Sequence, residues 1–183
     1  MEQKGILPVE WAFRRCVNAD LDAIMDLQET VVGALENQEI FASSEREENE
    51  SYLSDPNFIL GCFDGNRLIA YASFGVHGES PDNLGWDLGY PVEKVLSCAN
   101  LGTIIVHPDY RGYGLQRQLI KHALALAAQN PQISYVLCTV SPKNEYSLHN
   151  VQAEGFTVLT KKLKYGGKER FILGREPVLP DNK

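Results

Sequence analysis

The stretch Ile104-Ile105-Val106-His107-Pro108-Asp109-Tyr110-Arg111-Gly112-Tyr113-Gly114-Leu115-Gln116 decides the fold. A β-branched run stops at a proline, a turn punctuated by Gly112 and Gly114 follows, and Leu115 opens an apolar pattern. Leu115, Leu119, Ile120, Ala123, Leu124 and Ala127 recur at helical spacing, and Asn130-Pro131 ends the run. A strand, a glycine turn and an amphipathic helix are predicted in that order. Glycine carries no Cβ to obstruct its own amide. The helix behind the turn adds N–H groups without partners and the positive end of its dipole. Together these form an anion site suited to a phosphate or pyrophosphate. Neither G-x-G-x-x-G nor G-x-x-x-x-G-K-[ST] occurs, which sets the turn apart from dinucleotide and P-loop signatures.

Downstream, residues 133–140 form another buried-strand pattern that Ser141-Pro142-Lys143-Asn144 stops. Asn144 is placed to cap a short helix running through Glu154, and Gly155 closes it. A strand over 156–163 and another over 170–173 flank the turn Tyr165-Gly166-Gly167-Lys168. Upstream, residues 13–17 make a short first strand. Asn18 or Asp20 then caps a helix with apolar positions Leu21, Ile24, Met25, Val31, Val32 and Leu35. The acidic segment 36–55 contains Ser44-x-x-Glu47, a capping-box pattern that predicts an outer, solvated helix over 45–53. Two strands, 58–63 and 67–74, are joined by Asp64-Gly65-Asn66 as a hairpin. Residues 77–99 read as a long insertion, rich in glycine and proline, with a turn of helix near 92–97. An insertion of that length is more often functional or mobile than inert.

A chain of 183 residues is enough for one well-packed domain, here over 1–183 with its core at about 13–175. The apolar fraction of 44% and charged fraction of 22% are those of a soluble globular protein. A net charge of −7 argues against nucleic acid as a partner, which needs a basic face. An anionic cofactor needs only local positive potential, and Arg111 and Arg117 supply it. No signal-peptide core and no membrane-length apolar run is read, so the expected location is cytoplasmic and away from membranes. Cys16, Cys62, Cys98 and Cys138 are scattered, without a CxxC pair, and are read as reduced thiols. The four histidines lack metal-ligand spacing, and no metal is expected.

Val106-His107-Pro108-Asp109-Tyr110-Arg111-Gly112-Tyr113-Gly114 resembles the acyl-CoA signature of the GNAT superfamily of N-acetyltransferases. That signature runs Arg or Gln, two residues, Gly, one residue, then Gly or Ala; Arg111, Gly112, Tyr113, Gly114 and Leu115 fit it, and Gln116 departs from it. A second family pattern, Asn144-x-x-Ser147 followed by Gly155-Phe156, falls at the expected spacing. The resemblance implies an α/β (α+β) GNAT fold, with a mixed central sheet of about seven strands, flanking helices, and splayed fourth and fifth strands. It implies acetyl-CoA as cofactor, its pantetheine arm between those strands beside Ile104, Ile105 and Val106. It implies that Arg111, Gly112, Tyr113, Gly114, Leu115 and Gln116 hold the phosphates and that Asn144 and Ser147 also bind the cofactor.

An acetyl thioester is already activated, so an amine can attack it without a protein nucleophile. The amine must first lose a proton with a pKa near ~10. The backbone N–H of Ile105 is the expected oxyanion donor. Many family members carry a Tyr acid where this chain has Val151 and a Glu where it has Asn100. Tyr146 and Tyr135 are the alternative acids; Cys138 is a candidate acyl carrier, and His77 or His107 a proton relay. Glu79, Asp82, Asp87 and Glu93, with Trp86 and Tyr90, are expected to line an acidic, aromatic mouth that favours a cationic acceptor. The leading reading is N-acetyl transfer to a primary amine of a small molecule or peptide, by a monomer or homodimer. A non-catalytic acyl-CoA-binding module and a nucleotide-binding α/β protein are the alternatives.

Overall fold

Alternating apolar runs assemble into a seven-stranded mixed sheet in the computed structural model, which describes residues 10–177. Residues 1–9, where no signal-peptide core is expected, and residues 178–183 lie outside the described residues. Chain order is β1 (Ala12–Arg15), α1 (Leu21–Gly33), α2 (Arg46–Ser51), β2 (Phe58–Asp64), β3 (Arg67–Gly75), α3 (Val92–Val95), β4 (Cys98–Val106), α4 (Leu115–Ala127), β5 (Tyr135–Val140), α5 (Glu145–Ala153), β6 (Thr157–Lys164) and β7 (Lys168–Arg175). Strands lie in the order β1-β2-β3-β4-β5-β7-β6, and of the pairs formed by these strands only β4–β5 is parallel. Among the described residues no helix is long and apolar enough to cross a membrane.

Each face of the sheet is covered by the helix whose apolar stripe fits it. All six apolar positions read on α4 are buried, and they pack on Leu60, Cys62, Ala70, Ala72, Leu101 and Cys138. Removing one of these leucines would leave a cavity costing about 2–5 kcal/mol. On the opposite face α1 presents Ile24, Leu27 and Val31 to Ile59, Phe63, Tyr71 and Ile105. Met25, Val32 and Leu35, read as core from their spacing, are only partly buried, and Leu27 takes the central place.

The segment before α2 corrects the capping-box reading. Glu45, not Ser44, is the N-cap, and it makes no side-chain cap bond. The Ser44 backbone is instead clamped by the buried Gln28 amide, which donates to its carbonyl at 2.8 Å and accepts from its N–H at 3.0 Å. The insertion 77–99 is also firmly anchored. Fully buried Asn83 donates to the carbonyls of Gly78 and Val95 and accepts from the Gly85 N–H. Leu84 packs with Cys98, Leu137 and Ile172. Asn100 ties the insertion to β4: its amide donates to the Asp82 carbonyl at 2.8 Å and accepts from the Leu84 N–H at 3.3 Å. A carboxylate there would have no N–H to offer, which explains an Asn at this position.

Partway along β4 the register with β3 shifts, so that Gly102 and Thr103 together oppose Ser73. The Ser73 hydroxyl accepts from the Thr103 N–H at 2.8 Å. A Cβ on Gly102 would stand 2.5 Å from that hydroxyl oxygen. Gly102→Ala is therefore expected to destabilise the fold by about 1–3 kcal/mol in denaturant unfolding. In a Ser73→Ala background the same change should cost less, because the obstructing oxygen is gone; strict additivity of the two changes would contradict this account.

Candidate active site

Strands β4 and β5 pair at Cys98 with Tyr135, Ala99 with Val136 and Asn100 with Leu137, and there the pairing stops. Beyond it the strands part around a cleft of about 650 Å³. Leu101 to Ile104 line one side and Cys138 to Ser141 the other. The splay expected of the fourth and fifth strands is present. Ladder parity then decides which amides face the cleft. The His107 N–H donates to the Ile69 carbonyl, and Ile105 pairs with Tyr71 in the same register. Alternate residues of an antiparallel pair exchange their hydrogen bonds, so Ile105 spends its amide on β3. Ile104 and Val106 turn theirs toward β5. The Ile105 amide therefore does not face the cleft as expected, and the Ile105 side chain belongs to the α1 core.

The cleft reaches this part of the chain at Gln116, and in the turn just before it Gly112 and Gly114 adopt left-handed φ of 87° and 73°, conformations that side chains resist. The space where their Cβ atoms would sit is empty to 4 Å. Gly114 is the N-cap of α4 and makes no side-chain cap bond, so the first-turn amides of Leu115 and Gln116 remain available. Arg111 and Tyr113 are exposed beside them. Gln116, the departure from the signature, turns its side chain to α5: it donates to the Ser147 hydroxyl at 2.9 Å and accepts from the Asn150 amide at 2.8 Å. Asn144 caps α5 as read, accepting from the Ser147 N–H at 3.1 Å. Gln116, Asn144 and Ser147 all line the cleft. Arg117 points elsewhere and is paired with Glu154 at 2.6 Å. An unpaired strand edge beside an uncapped helix start suits an elongated ligand that carries amide groups along its arm and phosphates at one end.

The other end of the cleft is built from residues far apart in sequence. Tyr52, following α2, and His77, following β3, share a hydrogen bond at 3.1 Å between the phenol oxygen and Nε2. A Cβ on Gly75 would lie 2.5 Å from that Nε2, so the glycine makes room for the pair. Burial pushes the Tyr52 phenol up and His77 down from their ordinary values. Glu48 lines the same wall, and burial raises its carboxyl above the usual range. It was read as part of a solvated face because nothing in the acidic segment distinguishes one glutamate from the next. Asp82 is the only member of the expected acidic mouth to reach the cleft. Asp87 is turned to Lys164 at 2.8 Å, the Trp86 indole donates to the Glu79 carbonyl, and Tyr90 lies under the Lys94 ammonium at 3.8 Å.

The facing wall comes from the β6–β7 hairpin. Tyr165, in its turn, has a φ of 51°, and its hydroxyl lies 3.0 Å from that of Thr139 on β5. Arg170 on β7 is 3% exposed. Neither was singled out in sequence, where Tyr165 reads as turn and Arg170 as strand.

Several expected residues lie outside the cleft. Tyr146 is 64% exposed on α5 and Tyr135 packs under Lys94; neither lines the cleft. His107 also stays outside, its Nε2 3.1 Å from Arg67. Cys138 does line the cleft, but burial raises its thiol, which stays protonated and weakly nucleophilic. Val151 faces the cleft with no hydroxyl to offer. Among the described residues no group of three or more histidines, cysteines or carboxylates is placed to hold a metal ion.

Among curated proteins none matches the sequence. Solved structures do match. A GNAT-family acetyltransferase from Streptococcus pneumoniae is 18% identical, covering 91% of this chain and 99% of its own, with a TM-score of 0.70. The Salmonella typhimurium protein yncA, solved with its cofactor acetyl-CoA, is 17% identical over 95% and 99%, with a TM-score of 0.68. The ribosomal-protein-S18-alanine N-acetyltransferase of Escherichia coli is 18% identical over 95% and 99%, with a TM-score of 0.67. At such identities the likeness is one of fold. The model of the acetyltransferase (GNAT) family matches residues 21–156, from the start of α1 to just beyond α5. The chain belongs to the acetyltransferase (GNAT) family, enzymes that use acetyl-CoA.

Proposed function

We propose that the protein transfers an acetyl group directly to a primary amine of a small molecule or peptide. The observation that carries this reading is the unpaired edge of β4 at Ile104, which lines a cleft running from Gln116, at the start of α4, to the Tyr52–His77 pair. Acetyl-CoA, when bound, supplies an acyl group already activated as a thioester. The amides of Gly112, Tyr113, Gly114, Leu115 and Gln116 hold its diphosphate, with Arg111 beside them, and Asn144 and Ser147 flank the arm. The Ile104 N–H is a donor of the kind a carbonyl oxygen gaining negative charge requires.

Two proton positions remain. His77 stands in for the carboxylate that Asn100 cannot be. With the Nε2–H donating to the Tyr52 oxygen, its Nδ1 lone pair takes the proton that the amine gives up. The lowered basicity of His77 keeps that lone pair free at neutral pH. The Tyr165 hydroxyl, held by Thr139 just past the last β4–β5 pair, carries the proton for the departing sulfur in place of Val151.

Incubated with acetyl-CoA and a panel of amines, the protein should release free thiol with at least one acceptor. CoA binding without turnover of any amine would select the non-catalytic acyl-CoA-binding module, the reading that Val151 and Asn100 favour. His77→Gln should lower kcat/KM by about a hundredfold. In the wild type, the limb that falls on the acid side should lie below the ordinary histidine value of ~6.5, because the folded pKa is depressed. That limb should vanish in the variant, and an unchanged profile would remove His77 from the reaction. Tyr165→Phe should lower kcat by about tenfold, since a thiol near ~8.5 leaves with modest help. The KM for acetyl-CoA should not move.

A further inference from the structure

We propose that the acceptor carries a carboxylate beside its amine, and that Arg170 receives this carboxylate from the wall of the cleft. The inference rests on the acetyltransferase reading and names the substrate class of that same site.

Arg170 is buried to 97% of its surface and lines the cleft. A guanidinium presents five N–H donors. The bonds it makes are to main-chain carbonyls, of Glu169 at 2.7 Å and Glu39 at 2.8 Å. No carboxylate among the described residues lies within ion-pair distance of it. The Glu39 carboxylate, which faces it from the segment before α2, is held by Lys143 at 2.8 Å. The other cation on this wall, Lys164, is already neutralised by Asp87 at 2.8 Å. Buried charges in proteins are paired, and an arginine left without an anion at a cleft wall is matched to one that arrives with a ligand.

Charge on the remaining wall is of the opposite sign. Glu48 and Asp82 line it, next to the Tyr52–His77 pair that receives the amine. A ligand with an ammonium and a carboxylate complements both walls at once, which neither a polyamine nor a neutral amine can do. A cleft of about 650 Å³ that also houses the arm of the cofactor leaves room for a small molecule, so a free amino acid fits better than a protein terminus.

The test compares proteinogenic L-amino acids with their own carboxamides, which keep the amine and side chain but lose the negative charge. Calorimetry is run on protein saturated with CoA, and acetylation is read in parallel as thiol release. At least one amino acid should bind about tenfold or more tightly than its carboxamide. Arg170→Gln should bring that ratio close to one while leaving CoA affinity unchanged. Equal binding of the twins, binding of neither, or an unchanged ratio in the variant would each overturn the proposal. If the variant fails to fold, because Arg170 also braces Glu39, the wild-type ratio decides alone. Carboxylate-dependent binding with no acetylation of any amine would sink the acetyltransferase reading and not this one. Acetylation of acids and carboxamides with equal efficiency would do the reverse.

Discussion

Backbone hydrogen bonds join β4 to β5 over Cys98 to Asn100 and no further. Past that point two central strands, flanked on both sides by regular pairing, leave their inward amides and carbonyls without each other. Such groups are costly to bury unpartnered. A sheet interrupted at its middle is therefore an incomplete structure waiting for a strand-like ligand. What keeps the two halves from closing is packing: α4 grips one face with six apolar side chains and α1 holds the other, so neither strand can tilt to meet its neighbour. The bulge at Gly102 and Thr103 bends β4 where the separation begins.

The two ends of the wedge follow different physical rules. At the α4 end, main-chain donors dominate, presented by glycines that no side chain could replace without strain. Recognition there depends on local geometry. At the opposite end side chains dominate, and they come from α2, the insertion, β3 and the last hairpin. Their charges divide by wall, carboxylates on one and a guanidinium on the other. The first arrangement suits a ligand common to a whole family; the second is where one member can differ from another.

That division also explains what could be read from sequence. The strand–turn–helix around Arg111 to Gln116, the six buried positions of α4 and the cap at Asn144 all came through, because each is a matter of neighbours and periodicity. Ile105 did not. Which amide of β4 faces the cleft depends on pairing parity with β3, and the register shift at Gly102 and Thr103 has no local signature. Glu48 reads like any carboxylate in an acidic run and Arg170 like any strand residue, because the one takes its place beside His77 and Asp82 from another segment and the other holds the Glu39 carbonyl across 131 positions. Gln116 and Asn100 read as departures from a family pattern. In three dimensions each is the cross-link its neighbours require, one to α5 and the other to the insertion.

Strand β7 is stitched to the segment ahead of α2: Arg170 holds the Glu39 carbonyl and Lys168 that of Phe41, across 131 and 127 positions of chain. Contacts of so long a range are set by the global fold and leave no mark in the local sequence. The glycine turn before α4, by contrast, is assembled from adjacent residues. One wall of the cleft therefore depends on contacts that close most of the chain, and a change that loosened either end of that stitch would be felt at the wall.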